Sequence, residues 1–374
     1  MAAAVSIFFL LCIAALLYVF NRIRRSSTGR WLVSYIKRER RKKFWIGDEP
    51  VHLHVAFCNH LSPFRNNVNQ EIAEHRIVTW GREYSRFASE HRDSQGRQPV
   101  HTFFYDESGY NPRFVDTLYK MCKAEIADVE ILLRQKNDTS ESFKRKLEGF
   151  RDVLFHHHGL LRRVGEDKIF FGFIYDGSAQ SSSQLQKQFY DLKQKSLILK
   201  ECGCYADFTF PSTPDTAQPP VINSIFFSDT ADTKNNLYER GCRASIHNWS
   251  EEDLLIIQGP LGVNWRNRRL CLFPRIETGE ISSRNRFTPH RAKLWLDTPA
   301  QIEGAPGHIF LKLHTYGAVD STVRYLFGES GMHDLYGYLE KTFHCNQGFF
   351  LHYVSAYEMY RRVQAVCQGS PVLS

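Results

Sequence analysis

Short apolar runs alternate with amphipathic stretches along most of this chain. The runs are His52–Cys58, His101–Tyr105, Val129–Leu133, Ile169–Tyr175, Cys204–Phe210, Leu254–Gln258, Ile309–His314 and Phe349–Val354. Each is short and rich in β-branched or aromatic residues, which fits a buried strand better than a helix. Helical patterns lie between several of them. Pro112 opens one that carries Phe114, Val115, Leu118 and Cys122 on a single face. Thr139 or Ser140 caps the next, with Phe143, Leu147, Phe150 and Leu154 as its stripe. Ser355 and Glu358 form a capping box before the last, and Gly369 follows its end. Strand, helix, strand at this cadence predicts an α/β fold, with a parallel sheet closed or nearly closed into a barrel.

The first twenty residues follow a different rule. Met1–Phe20 contains no charged side chain, and roughly 20 apolar residues span a bilayer. A cleaved signal peptide would need a basic start and a small-residue cleavage site, and Leu16–Arg25 supplies no such site. The expectation is a single transmembrane anchor over residues 1–21. Residues 22–43 then hold ten Lys or Arg and one acid, Glu39, against a whole-chain charge of +8. The remainder is therefore near neutral, which argues against a nucleic-acid partner. Trp31, Leu32, Tyr35 and Ile36 fall at helical spacing, followed by Phe44, Trp45 and Ile46. Residues 22–46 thus read as a basic amphipathic segment beside an anionic leaflet, with the aromatics at headgroup level. The positive-inside rule places the following domain, residues 47–369, on the cytoplasmic face. An outward-facing domain is the competing reading. Nine scattered cysteines show no zinc spacing, and Cys202 and Cys204 read as reduced core residues.

In a parallel α/β fold, polar residues at the carboxyl ends of strands are the site candidates. They are Asn59 and His60, Tyr105 and Asp106, Arg134 through Asp138, Asp176, Asp207 and His314. A lone histidine at such a position is more often structural than catalytic. Convergence on one rim is what would give these residues a common role.

The order of these segments resembles the polysaccharide deacetylases, carbohydrate esterases with a distorted (β/α) barrel. His101-Thr102-Phe103-Phe104-Tyr105 matches the second strand, and Leu311-Lys312-Leu313-His314 matches the apolar strand ending in leucine-x-histidine. Val129-Glu130-Ile131-Leu132 falls on the third strand, and the strand with Asp207 on the fourth motif. Longer segments, HRDSQGRQPVHTFFY (91–105), GCYADFTFPS (203–212), IQGPLGVNW (257–265), FPRIETG (273–279) and LHYVSAYEMY (351–360), look like a divergent branch associated with bacterial exopolysaccharide loci. The resemblance covers roughly residues 50–365.

In the active family an aspartate and two histidines hold a divalent metal, a second aspartate is the base, and a histidine protonates the leaving amine. The resemblance therefore implies His314, Asp207 and the Asn59 position for catalysis, and His60 for the metal. It leaves His101, Tyr105, Arg134 and Asp138 as residues for substrate. The branch shows Asp-His where this chain has Asn59-His60, and His-x-His where it has Leu132-x-Arg134. Asn59 cannot act as a base, Leu132 cannot ligate, and Arg134 repels a cation. Two readings follow. One is a membrane-anchored deacetylase-like protein without hydrolytic activity, binding a glycan or scaffolding polysaccharide-assembly proteins. The other is an active, zinc-dependent carbohydrate N-deacetylase with a site rebuilt from His60, His101, Glu130 or Asp138.

Overall fold

The computed structural model describes residues 28–37, 50–134, 139–165, 168–176, 196–213, 218–228, 241–269, 273–344 and 348–372. The expected membrane span, Met1–Phe20, and the candidate Asp138 lie outside them. Among the described residues no helix is long and apolar enough to cross a membrane.

Thirteen strands are described: β1 (Val51–Leu61), β2 (His101–Asp106), β3 (Ala127–Arg134), β4 (Arg162–Val164), β5 (Lys168–Asp176), β6 (Cys204–Asp207), β7 (Ile225–Ser228), β8 (Cys242–Arg243), β9 (Leu254–Ile257), β10 (Gly262–Arg269), β11 (Phe273–Glu277), β12 (His308–Thr315) and β13 (Phe349–Tyr353). The main sheet runs β12-β1-β2-β3-β5-β6-β9-β7-β8. It is parallel from β12 to β9, and β7 and β8 add antiparallel strands at the far edge. β13 shares an edge of β1 with β2. It pairs with Val51–Val55, and β2 takes over at Phe57–Leu61.

The sheet has two faces of different character. Phe57 and Leu61 of β1, Phe103 and Tyr105 of β2, Ile131 and Leu133 of β3 and Leu311 and Leu313 of β12 share one core cluster. That cluster includes Ile77 and Trp80 of helix Gln70–Glu90 and Leu335 and Leu339 of helix Gly331–Phe343. This is the outer face. The alternate residues Ala56, Cys58, Phe104, Leu132, Ile174 and Phe310 form a second cluster on the inner face, joined by Met359, Tyr360 and Val363 of helix Ala356–Cys367. That helix begins with the expected capping box at Ser355 and Glu358.

The two ends of the parallel run approach each other around the inner face. Lys312 Nζ of β12 donates to the carbonyls of Phe208 and Phe210, just beyond β6. A Cβ on Gly259, beyond β9, would lie 2.7 Å from the Lys312 carbonyl, so only glycine fits this approach. Among the described strands no ladder crosses the seam between β9 and β12. The sheet, expected to be closed or nearly closed into a barrel, is a curled sheet without a closing ladder. Its ends are linked by the Lys312 side chain and by isolated backbone bridges, Phe310 with Ala300 and Ser245 with Glu303.

Two expectations about element ends change. β1 does not stop at Cys58 but continues to Leu61, so Asn59 and His60 lie within a strand and point to opposite faces. Trp31, expected at headgroup level, is buried, while Val33 and Ile36 of the same helix, Thr28–Lys37, are exposed. Cys202 and Cys204 are free, buried thiols as expected.

Candidate functional site

The carboxyl ends of β1, β2, β3, β5 and β12 bring one set of polar side chains onto the inner face. Parallel strands place successive ends side by side, and period two selects every other residue. The register sets Arg134 opposite Asp176 and Asp106 opposite Leu132. Arg134 Nε lies 3.2 Å from Asp106 Oδ2 and 3.3 Å from Asp176 Oδ2, so one guanidinium is clamped by two carboxylates. Asp106 Oδ1 accepts from the Ser108 backbone N–H at 3.1 Å and from its hydroxyl at 2.9 Å. Arg65 stands 3.8 Å from Asp176, and its guanidinium lies 4.7 Å from the centre of the Tyr316 ring.

His60 and His314 complete the rim. Their ring centres are 5.4 Å apart, and Tyr316 meets both edge-on, at 5.1 and 6.0 Å. Burial pushes His60 down to about 3, helped by Lys312, Arg65 and Arg134 and opposed by Asp176. Burial first, then His60, Lys312 and Arg291, hold His314 well below the usual imidazole range. Both rings are neutral at pH 7. His314 Nδ1 is buried without a partner, a hydrogen-bonding valence closed off from solvent that an internal water could fill.

Asp207 is on the same side but deeper. Its Oδ1 accepts from the Thr209 N–H at 2.7 Å, and burial raises it to about 6 against the pull of Thr209 and Lys312. Lys312, two residues before His314, is buried and pushed down to about 8 by desolvation, with Cys58 and Asp207 opposing. These groups form a polar layer beneath the rim rather than part of it.

Three predicted site residues are elsewhere. Asn59 faces the outer side; its Oδ1 accepts from Gly317 N–H at 2.8 Å, and the residue is fully buried. It stands away from the inner face because β1 keeps its alternation through His60. Tyr105 also faces outward, and its hydroxyl donates to the Gly109 carbonyl at 2.8 Å. His101 begins β2, at the opposite end from the rim, packed between Trp80, Tyr84, Phe57 and Phe103. Burial there pushes its imidazole down to about 3, and neither ring nitrogen has a partner. None of the three can touch a ligand on the rim. Glu130, offered for a rebuilt site, is buried four residues before Arg134. It is engaged by Arg162 at 2.6 Å, the Gly172 N–H at 2.5 Å and the Tyr205 hydroxyl at 2.8 Å.

Sequence reasoning missed Arg65 and Tyr316. Tyr316 carries a usable signal, since it follows His314 by two residues. Arg65 lies in the loop after β1, and no local pattern marks it.

The donor set does not fit a divalent metal. His60 and His314 are the imidazoles present, and Arg65 and Arg134 bring positive charge to the same rim. Leu132 is buried in the inner-face cluster, two residues before Arg134 on the same face. Among the described residues, no group of three or more His, Cys, Asp or Glu is placed to hold a metal ion. A zinc centre needs about four donors, at least three of them from the protein. No protein-family model matches the sequence, and a search of curated proteins finds no match.

Proposed function

We propose that this chain is a membrane-anchored polysaccharide deacetylase-like protein that binds a glycan without hydrolysing it. On this reading it serves exopolysaccharide or cell-envelope glycan metabolism as a binding or scaffolding component. The curled sheet is then the distorted barrel of that family, without a closing ladder. The observation that carries the proposal is Arg134, clamped between Asp106 and Asp176 where the family resemblance places a metal-binding histidine. A fixed cation there opposes a metal and leaves amide hydrolysis without its Lewis acid. The same rim suits sugar hydroxyls: guanidinium and imidazole N–H groups donate, carboxylates accept, and the Tyr316 ring offers a face.

The test is calorimetric titration of the purified chain with N-acetylated and deacetylated oligosaccharides, alongside an acetate-release assay with added zinc. Binding weakened at least tenfold by Arg134→Met, with no acetate release, is the expected result. Acetate release dependent on His60 and His314 would overturn it. One observation favours the active alternative: burial holds Asp207 near 6, within range of a general base. Asp207→Asn separates the readings, because it leaves glycan binding intact in the first and abolishes turnover in the second.

A further inference from the structure

β10 and β11 form a two-stranded arm that stands apart from the main sheet. Its register shifts between Asn264 and Arg268, so Trp265, Arg266 and Asn267 bulge out of the ladder. The bulge is built rather than loose. Asn264 is buried, and its Oδ1 accepts from the N–H groups of Arg266 and Asn267, each at 3.1 Å. Arg268 Nε donates to the Trp265 carbonyl at 2.8 Å. The result is a tryptophan held 60% exposed between outward-facing arginines. The arm's one carboxylate, Glu277, is buried on Arg291 at 2.6 Å, so it does not offset that charge at the surface.

Helix Thr28–Lys37 lies against the start of this arm. The Tyr35 ring comes within 3.3 Å of where a Gly262 Cβ would stand. Its partner face is fixed by buried Trp31, whereas Val33 and Ile36, one turn apart, are 52% and 72% exposed. Helix and arm therefore present exposed apolar side chains together with Lys37, Arg266 and Arg268. The apolar run Met1–Phe20 ends eight residues before Thr28, a tether of at most ~28 Å when fully extended. The basic run Arg38–Lys43 follows directly.

We propose that the arm and helix Thr28–Lys37 form one surface that rests on an anionic bilayer, with Trp265 at headgroup depth and Arg266, Arg268 and Lys37 on lipid phosphates. This rests on the reading of Met1–Phe20 as a membrane anchor. Charge complementarity and the short tether select lipid over a protein partner. The contact also orients the rim. β11 leads directly to Gly279–Ile281, which brackets His314: the His314 N–H donates to the Gly279 carbonyl at 3.1 Å, and the Ile281 N–H to the His314 carbonyl at 2.8 Å. The rim thus opens beside the membrane surface, and its ligand is a glycan displayed there.

The experiment reconstitutes the full chain into phosphatidylcholine vesicles with and without phosphatidylserine, using brominated lipids to quench tryptophan. Wild type minus Trp265→Phe isolates the signal of Trp265, and near-ultraviolet circular dichroism checks that each variant is folded. Quenching of Trp265 by bromolipid, stronger with phosphatidylserine and weakened by salt, is expected. Arg266→Gln and Arg268→Gln should each reduce the docked population about fivefold, at about 1 kcal/mol per basic residue lost. Trp265 equally open to acrylamide in both vesicle types would overturn the proposal while leaving the anchor intact. Shielding already present in detergent, and dependent on protein concentration, would assign the surface to a second copy and also overturn it. A chain that carbonate washes from the vesicles would sink the anchor reading and the proposal together.

Discussion

His60 and His314 stand at one end of β1 and β12, and His52, His54 and His308 stand at the other end of the same two strands. The two groups share strands and a face, yet they differ in how their nitrogens are used. At the lower end, His52 Nδ1 meets His352 Nε2 at 2.9 Å and His54 Nε2 meets His308 Nδ1 at 3.1 Å. Arg362 donates to His54 Nδ1 at 3.2 Å, and His352 Nδ1 meets Gln95 at 3.1 Å. The rings lie nearly parallel, His52 over His308 and His54 over His352, 5.1 and 5.0 Å apart. These rings engage their nitrogens with one another, with Arg362 and with Gln95, so the stack is a structural seam where β13 and the last helix join β1. At the rim the rings are tilted, and His314 Nδ1 is left unpartnered. On β1 and β12 the lower rings engage their nitrogens with partners and His314 Nδ1 does not. His101, unpartnered but sealed among aromatic rings, shows that an open nitrogen alone makes no site.

The strongest way to break this contrast is to build the missing ligands. Leu132→His with Arg134→His should let the rim bind zinc stoichiometrically with His60, as read by metal analysis after dialysis. The same protein should melt lower, because Leu132 is fully buried and an imidazole there loses core packing worth about 2–3 kcal/mol. No metal uptake by the folded double variant would mean that the third strand does not occupy the family's position.

Next in size is the stack. His54→Leu leaves Arg362 and His308 facing an apolar side chain, so a loss of about 2–3 kcal/mol in denaturant unfolding is expected. His60→Leu at the rim should cost less than about 1 kcal/mol, since its ring makes contacts but anchors no such pair. Equal losses at both positions would erase the distinction.

Acid should act on the stack in a defined direction. Burial and Arg362 lower His52 and hold His54 well below 6.5. Burial first, with Arg362 and the neighbouring imidazoles assisting, sets His308 at about 4 and His352 at about 3. The unfolded chain therefore binds protons that the folded one refuses. Stability is complete above pH 6.5 and falls as pH drops toward 3–4, with a slope of about 1.4 kcal/mol per pH unit for each excluded proton. Urea midpoints between pH 5 and 8 measure this, and His352→Gln should flatten the slope by about one proton. An unchanged slope would show that His352 is not kept neutral by the fold.

The last contrast lies at the centre of the rim. Arg134→Met should cost about 1–3 kcal/mol, because the pair with Asp176 is partly exposed but Asp106, 2% exposed, is left as a buried carboxylate without its cation, while glycan binding falls at least tenfold. A large loss of stability without loss of binding would make the clamp structural.

Much of the sheet was legible from the chain because buried parallel strands are short apolar runs whose pattern survives without partners. The helix start at Pro112 and the caps at Thr139 and Ser355 are equally local. The site was less legible. Reading β1 as ending at Cys58 put Asn59 and His60 together on the rim. Three more residues of strand separate them by a face, and hydrophobicity gives no sign of that extension in Asn-His-Leu. His101 and Tyr105 look polar in sequence, and only the packing of Trp80 and the carbonyl of Gly109 show where they point. Arg65 reaches the rim from a loop, through contacts distant in sequence.

The central claim, that the rim binds its ligand without a metal, is tested most directly by the metal content of the full chain purified with zinc present and then dialysed. Substoichiometric zinc is expected, unchanged in His60→Ala and His314→Ala. One tightly held zinc per chain, lost in those variants, would contradict it.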